Sequence, residues 1–86
     1  MGDDALRDEV RTLLASLLRQ KGDGATFSDT DSLMLSGRLD SLATLQIVTF
    51  LEERYGVDFA EIGLDQTMLD TVDEIVRLAA SYARAS

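Results

Sequence analysis

Between residues 5 and 20 (ALRDEVRTLLASLLRQ), apolar side chains recur at Leu6, Val10, Leu13, Leu14, Leu17 and Leu18, the spacing of one helical stripe. Arg7, Asp8, Arg11 and Arg19 lie off that stripe. Asp3 or Asp4 can cap its start, and Gly22 and Gly24 stop it. A connection over about residues 22–40 follows, rich in Gly, Ser, Asp and Thr, with Phe27, Leu33, Leu35 and Leu39 scattered along it. Connections of that length are uncommon inside small domains and are often functional. Its apolar residues predict a loop packed over the core. Residues 41–55 (SLATLQIVTFLEERY) predict a second helix ended by Gly56. Residues 60–69 hold one short helical turn. The last helix starts near Thr71, where Thr71-Val72-Asp73-Glu74 matches a capping box. Its buried stripe is Val72, Ile75, Val76, Ala79 and Ala83, with Leu78 and Tyr82 at the margin. No strand pattern, repeat or proline intervenes. The expected fold is all-α: three long antiparallel helices and one short one in a single domain, 1–86, with a long loop between the first two helices. Leu13, Leu14, Leu17, Ile47, Leu51, Val72, Val76 and Ala79 are its expected core.

The second helix carries apolar residues on two faces. At about 100° per residue, Ala43, Phe50, Ile47, Leu51, Tyr55 and Val48 share one broad arc, the core face. Leu42, Leu45, Gln46, Thr49, Glu52 and Glu53 share the opposite arc. Isolated exposed leucines are ordinary. Two of them on one face, ringed by carboxylates, form a small protein-docking surface.

Composition narrows the chemistry. A chain of 86 residues has a core near the lower limit of unaided folding. Cysteine and histidine are both absent, which removes disulfides, thiolate metal sites, zinc hydrolysis and a serine–histidine triad. No apolar run is long enough to span a membrane, and the acidic start MGDDALRDEV is unlike a signal peptide, so a cytoplasmic monomer is expected. The net charge of −8 disfavours nucleic acid and favours partners with basic patches. Most of that charge is local: residues 40–74 carry nine acids and only Arg54. Asp29, Asp31 and Asp40 fall at positions 1, 3 and 12 of an EF-hand frame, but Met34 stands where that loop needs glycine and Asp40 where it needs glutamate. No metal site is expected.

The tripeptide Asp-Ser-Leu occurs twice, at residues 31–33 and 40–42. Asp40 and Ser41 lie where a helix N-cap is expected, and either side chain suits that task. A helix start also favours phosphate, through its free N–H groups and its dipole. Ser32 lacks this setting, because Gly37 follows too soon to leave room for a helix. Geometry favours Ser41 as the reactive serine.

Gly37-Arg38-Leu39-Asp40-Ser41-Leu42, leading into a helix that runs to Glu52-Glu53-Arg54-Tyr55-Gly56, resembles the acyl carrier protein family, with one extra residue between glycine and aspartate. The order of helices, the spacings, the length and the acidity extend the resemblance over most of the chain. It implies an acyl-carrier-like bundle and a phosphopantetheine arm, taken from coenzyme A and attached at Ser41 by a phosphopantetheinyl transferase. Asp40 and Leu42 would help that transferase recognise the serine. The arm ends in a thiol, which lets a chain without cysteine carry thioesters. The chain itself would be no enzyme and would have no catalytic residue. Leu42, Leu45, Thr49, Glu52 and Glu53 would dock acyl- or aminoacyl-loading ligases and acyltransferase or synthase enzymes of fatty-acid, lipid or related specialised biosynthesis.

Fatty-acid carriers usually have acids where this chain has Ala43 and Gln46, and methionine where it has Thr49. The stretch LDSLATLQIV is also similar to D-alanyl carrier proteins, which makes an aminoacyl cargo the alternative. An unmodified helical adaptor that docks through Leu42 and Leu45 is a third reading.

Overall fold

The computed structural model describes residues 2–24 and 26–85; the side chains of residues 2, 3, 66 and 83–85 lie outside that description, and with them the expected burial of Ala83. Helix α1 spans Gly2–Gln20, α2 Ser41–Tyr55, α3 Phe59–Ile62 and α4 Val72–Ala85, with a 3₁₀ turn at Gln66–Leu69 before α4. No strand occurs among the described residues. The all-helical reading holds.

The α1 stripe buries Leu6, Val10, Leu14, Leu17 and Leu18, while Leu13, an expected core residue, is only partly covered against the core. Leu13 sits at the edge of the stripe, facing the α2 side. Helix α1 begins at Gly2, so Asp3 and Asp4 fall inside its first turn and neither precedes it as a cap. The Asp4 carboxylate there still suits the positive end of the helix dipole. At the far end Gly22 takes φ 82°, where a Cβ would be strained. Its N–H donates to the Arg19 carbonyl (2.9 Å) and that of Asp23 to the Leu18 carbonyl (2.8 Å), the double bond of a Schellman stop. Gly22 ends the helix; Gly24 takes no part in those bonds.

Ala43, Ile47 and Leu51 point α2 inward, and Val72, Ile75, Val76 and Ala79 do the same for α4. Helix α4 packs on α1, α2 and the 3₁₀ turn, so it is the common wall of the bundle. Thr71 caps it, accepting the Glu74 N–H at 3.0 Å, while the Glu74 carboxylate faces Arg77 at 3.9 Å instead of reaching back. The single turn expected over 60–69 is two pieces, α3 and the 3₁₀ turn, separated by Gly63 at φ 80°.

The long loop is pinned at three places. Asp29 pairs with Arg7 (2.7 Å) and Arg11, and Arg7 also reaches Asp73 (2.6 Å), joining loop, α1 and α4. Arg38 holds Asp23 at 3.0 Å. Asp70, only 9% exposed, is the third. Its carboxylate accepts from Ser32 Oγ (2.8 Å) and from the N–H groups of Met34 and Leu35 (2.9 Å each), and its carbonyl accepts from the Leu33 N–H (2.8 Å). Leu33, Met34 and Leu39 are thereby pressed into the core, whereas Leu35 faces out. Burial pushes the Asp70 pKa up, but the donors from Leu35, Ser32 and Met34 outweigh it and hold the carboxyl below its ordinary value.

A depressed pKa means that stability from Asp70 is complete above its ordinary value of 3.8 and is lost as pH falls through the folded value. Asp70→Ala should cost about 1–3 kcal/mol at neutral pH, because it strands donors that the loop has turned inward. Urea unfolding should show the gap to the parent protein narrowing in acid. Equal stability at neutral pH, or a gap that widens in acid, contradicts this role.

Candidate functional site

Loop and helix meet at residues 37–44. Gly37 takes φ 86° and its N–H donates to the Met34 carbonyl at 3.1 Å, which turns the chain towards α2. Leu39, buried, donates its N–H to the Leu33 carbonyl at 2.8 Å. Asp40 is thus delivered in an extended conformation (φ −116°, ψ −171°), the backbone of an N-cap.

Asp40 does cap α2. Its carboxylate accepts the Ala43 N–H at 3.1 Å and its carbonyl the Thr44 N–H at 3.0 Å. The N–H groups of Ser41 and Leu42 remain the open donors of this helix start. Lys21 Nζ stands 3.9 Å from the outer Asp40 oxygen, so the end of α1 faces the start of α2. With the cap taken by Asp40, the Ser41 hydroxyl is exposed and hydrogen-bonds to no other described residue. Ser32 is in the opposite condition: partly buried, with its hydroxyl held by Asp70. Of the two Asp-Ser-Leu serines, the second offers a free nucleophilic oxygen beside donors suited to phosphate.

Leu42 and Leu45 are 69% and 60% exposed, and Gln46, Thr49, Glu52 and Glu53 share their side of α2. The predicted docking residues therefore lie on one outward face next to Ser41. Ala43, beside them in sequence, is buried. At the helix end, Arg54 pairs with Glu9, and Tyr55 Oη donates to the same carboxylate at 3.1 Å.

Thr44 escaped the sequence reading. It is buried beneath the helix start, with Oγ1 at 3.2 Å from the Asp40 carbonyl and 3.3 Å from Met34 Sδ. Its position falls within the core arc, so periodicity pointed to it; its hydroxyl disguised it. Met34 and Asp70 carried no such signal, since a loop has no period.

Among the described residues no group of acids forms a metal site, and no helix is long and apolar enough to cross a membrane. A protein-family model described as phosphopantetheine attachment site matches residues 8–79, a span that includes both Asp-Ser-Leu tripeptides. Comparison with curated proteins and with solved structures found no match.

The division of labour between the neighbours is measurable as stability. Asp40→Ala should cost about 1 kcal/mol in thermal or urea unfolding, the usual loss of a cap. Ser41→Ala should change stability by less than about 0.5 kcal/mol, as at other exposed positions. A Ser41→Ala loss equal to that of Asp40→Ala would make Ser41 the cap and remove its freedom.

Proposed function

Because the chain belongs to the phosphopantetheine attachment site family, we propose that it is an acyl carrier protein whose arm is borne by Ser41 and whose partners are enzymes of fatty-acid, lipid or related specialised biosynthesis. Carrier domains of this family are not catalysts; they hold covalently attached phosphopantetheine and work with partner enzymes. When bound, the arm supplies a terminal thiol on which cargo is carried as a thioester.

The observation that carries the assignment is the free Ser41 hydroxyl beside a capping Asp40, set against the tied hydroxyl of Ser32. Attachment forms the bond from Ser41 Oγ to phosphorus while the pyrophosphate bond of coenzyme A breaks and the nucleotide leaves. The chain has no histidine, and the Asp40 carboxylate is engaged at the helix start. The hydroxyl proton goes to a base that the transferase supplies. Afterwards the open N–H groups of Ser41 and Leu42 and the nearby Lys21 offset the phosphodiester charge. Tethering keeps the cargo at high effective concentration before whichever enzyme docks.

Docking falls to Leu42, Leu45, Thr49, Glu52 and Glu53. Complementary charge speeds the encounter and sets orientation, while burial of the two leucines resists dissociation. A second reading, an aminoacyl carrier of the D-alanyl type, is favoured by the stretch LDSLATLQ, with Gln46 and Thr49 in place of an acid and a methionine. The enzyme that loads the modified protein decides between the two cargoes.

Incubation with coenzyme A and a broad phosphopantetheinyl transferase should give one mass gain. Ser41→Ala should abolish it and Ser32→Ala should leave it, provided each variant is folded; the reverse result assigns the other serine.

Docking has its own test. Glu52→Lys with Glu53→Lys should slow loading at low salt, and the defect should shrink as ionic strength rises. Leu42→Ala should impair modification or transfer with little loss of stability. If it instead unfolds the domain while the folded fraction loads normally, Leu42 is structural.

A further inference from the structure

Ion pairs of opposite sense join the approach to Ser41 to the end of α1. Arg38 grips Asp23 with two donors, Nε at 3.0 Å from one carboxylate oxygen and Nη2 at 3.4 Å from the other. Lys21 Nζ stands 3.9 Å from Asp40. The Arg38 pair is the better covered of the two, with side chains 24% and 29% exposed against 35% and 51%. Its forked geometry fixes direction as well as distance, which a lysine ammonium does not do. Between the two pairs Leu39 turns the other way, into the core, and its N–H bonds back to the Leu33 carbonyl at 2.8 Å.

The hold of Asp70 on the loop ends at the Leu35 N–H, and the hold of Asp40 begins at the helix start. Leu35, Ser36 and Gly37 are exposed between them. Arg38 is therefore the point at which the chain, having left the core, is caught again from the α1 side. Ser41 is the first residue of α2, where helices fray, and its hydroxyl hydrogen-bonds to no other described residue. Its place before a docked enzyme is set by the backbone on either side, and Arg38–Asp40 is the side without a helix.

We propose that Arg38 and Asp23 are positioning residues for the attachment of phosphopantetheine, holding the three residues before Ser41 against the end of α1. The inference rests on Ser41 as the attachment site. Attack on phosphorus needs the serine oxygen close to its target, and a displacement of about 1 Å can cost roughly a hundredfold in rate. Neither residue belongs to the outward face of α2 that docks the enzyme. Loss of the pair therefore leaves the encounter alone and slows the step that follows it. The stop of α1 is spared as well, because Asp23 serves it through its main-chain N–H.

The test follows attachment by intact mass, with coenzyme A and a broad phosphopantetheinyl transferase, at carrier concentrations spanning KM. It compares the parent protein with Asp23→Asn, Arg38→Gln, the double variant of these two, and the exchanged pair Asp23→Arg with Arg38→Asp. Urea unfolding gives the folded fraction of each, and rates are scaled to it. Each single variant should lower kcat by roughly tenfold with KM little changed. The Asn and Gln double variant should be no slower than either single one, because the same pair is lost once. The exchanged pair restores the attraction and should react faster than that double variant. The inference is overturned by parent-like rates after scaling, a change confined to KM, a defect in Arg38→Gln without one in Asp23→Asn, losses that add, or an exchanged pair no faster than the double variant. Each of those results leaves attachment intact, since the parent protein still gains mass. A folded parent protein that gains no mass at Ser41 overturns the attachment and the positioning together.

Discussion

The carboxylate of Asp70 does for this protein what a second sheet or a disulfide does elsewhere: it holds a long stretch of irregular backbone against a small core. Main-chain N–H groups turned away from water need partners, and a loop without regular structure does not supply its own. Asp70 supplies them to Met34 and Leu35 through its side chain and to Leu33 through its carbonyl. Everything nearer the site follows from that anchoring. Leu33 and Met34 enter the core, Met34 meets Thr44 under the start of α2, and Leu39 folds back on Leu33. The chain then enters α2 with Asp40 already in the conformation of a cap.

One carboxylate at each of two places thus decides the fate of two similar serines. Asp70 binds the hydroxyl of Ser32 and makes it part of the loop lock. Asp40 takes the open Ala43 N–H, and by doing so leaves Ser41 with nothing to hold inside the fold. The freedom of the Ser41 hydroxyl comes from what its neighbour has already satisfied. Exposed Glu52 and Glu53 lie on the same helix as the serine, within the most acidic stretch of the chain.

Periodicity carried much of this into view before any coordinates. The bounds 41–55 for α2, the inward side of α4 and the exposure of Leu42 and Leu45 all follow from spacing in a regular helix. The choice between Asp40 and Ser41 as cap did not follow, because both side chains have the right chemistry and a shift of the helix start by one residue separates them. The early start of α1 was hidden by its two aspartates, which suit a first turn as well as a cap. Leu13 looked like core because it shares the leucine stripe, yet it lies at the stripe's edge and is only partly buried against the core. Asp70, Arg7 and Asp29 were illegible for a different reason: their partners lie far along the chain, and no local pattern encodes a contact between residues 32 and 70 or 7 and 73.

The central claim is that Ser41 bears the arm, and peptide mapping of the modified protein addresses it directly. Trypsin cuts after Lys21, Arg38 and Arg54, which separates the candidates: residues 39–54 contain Ser41 as their one serine, and residues 22–38 contain Ser28, Ser32 and Ser36. Tandem mass spectrometry should find the phosphopantetheine mass on the 39–54 peptide, with fragment ions placing it at Ser41. The same mass on the 22–38 peptide would contradict the account.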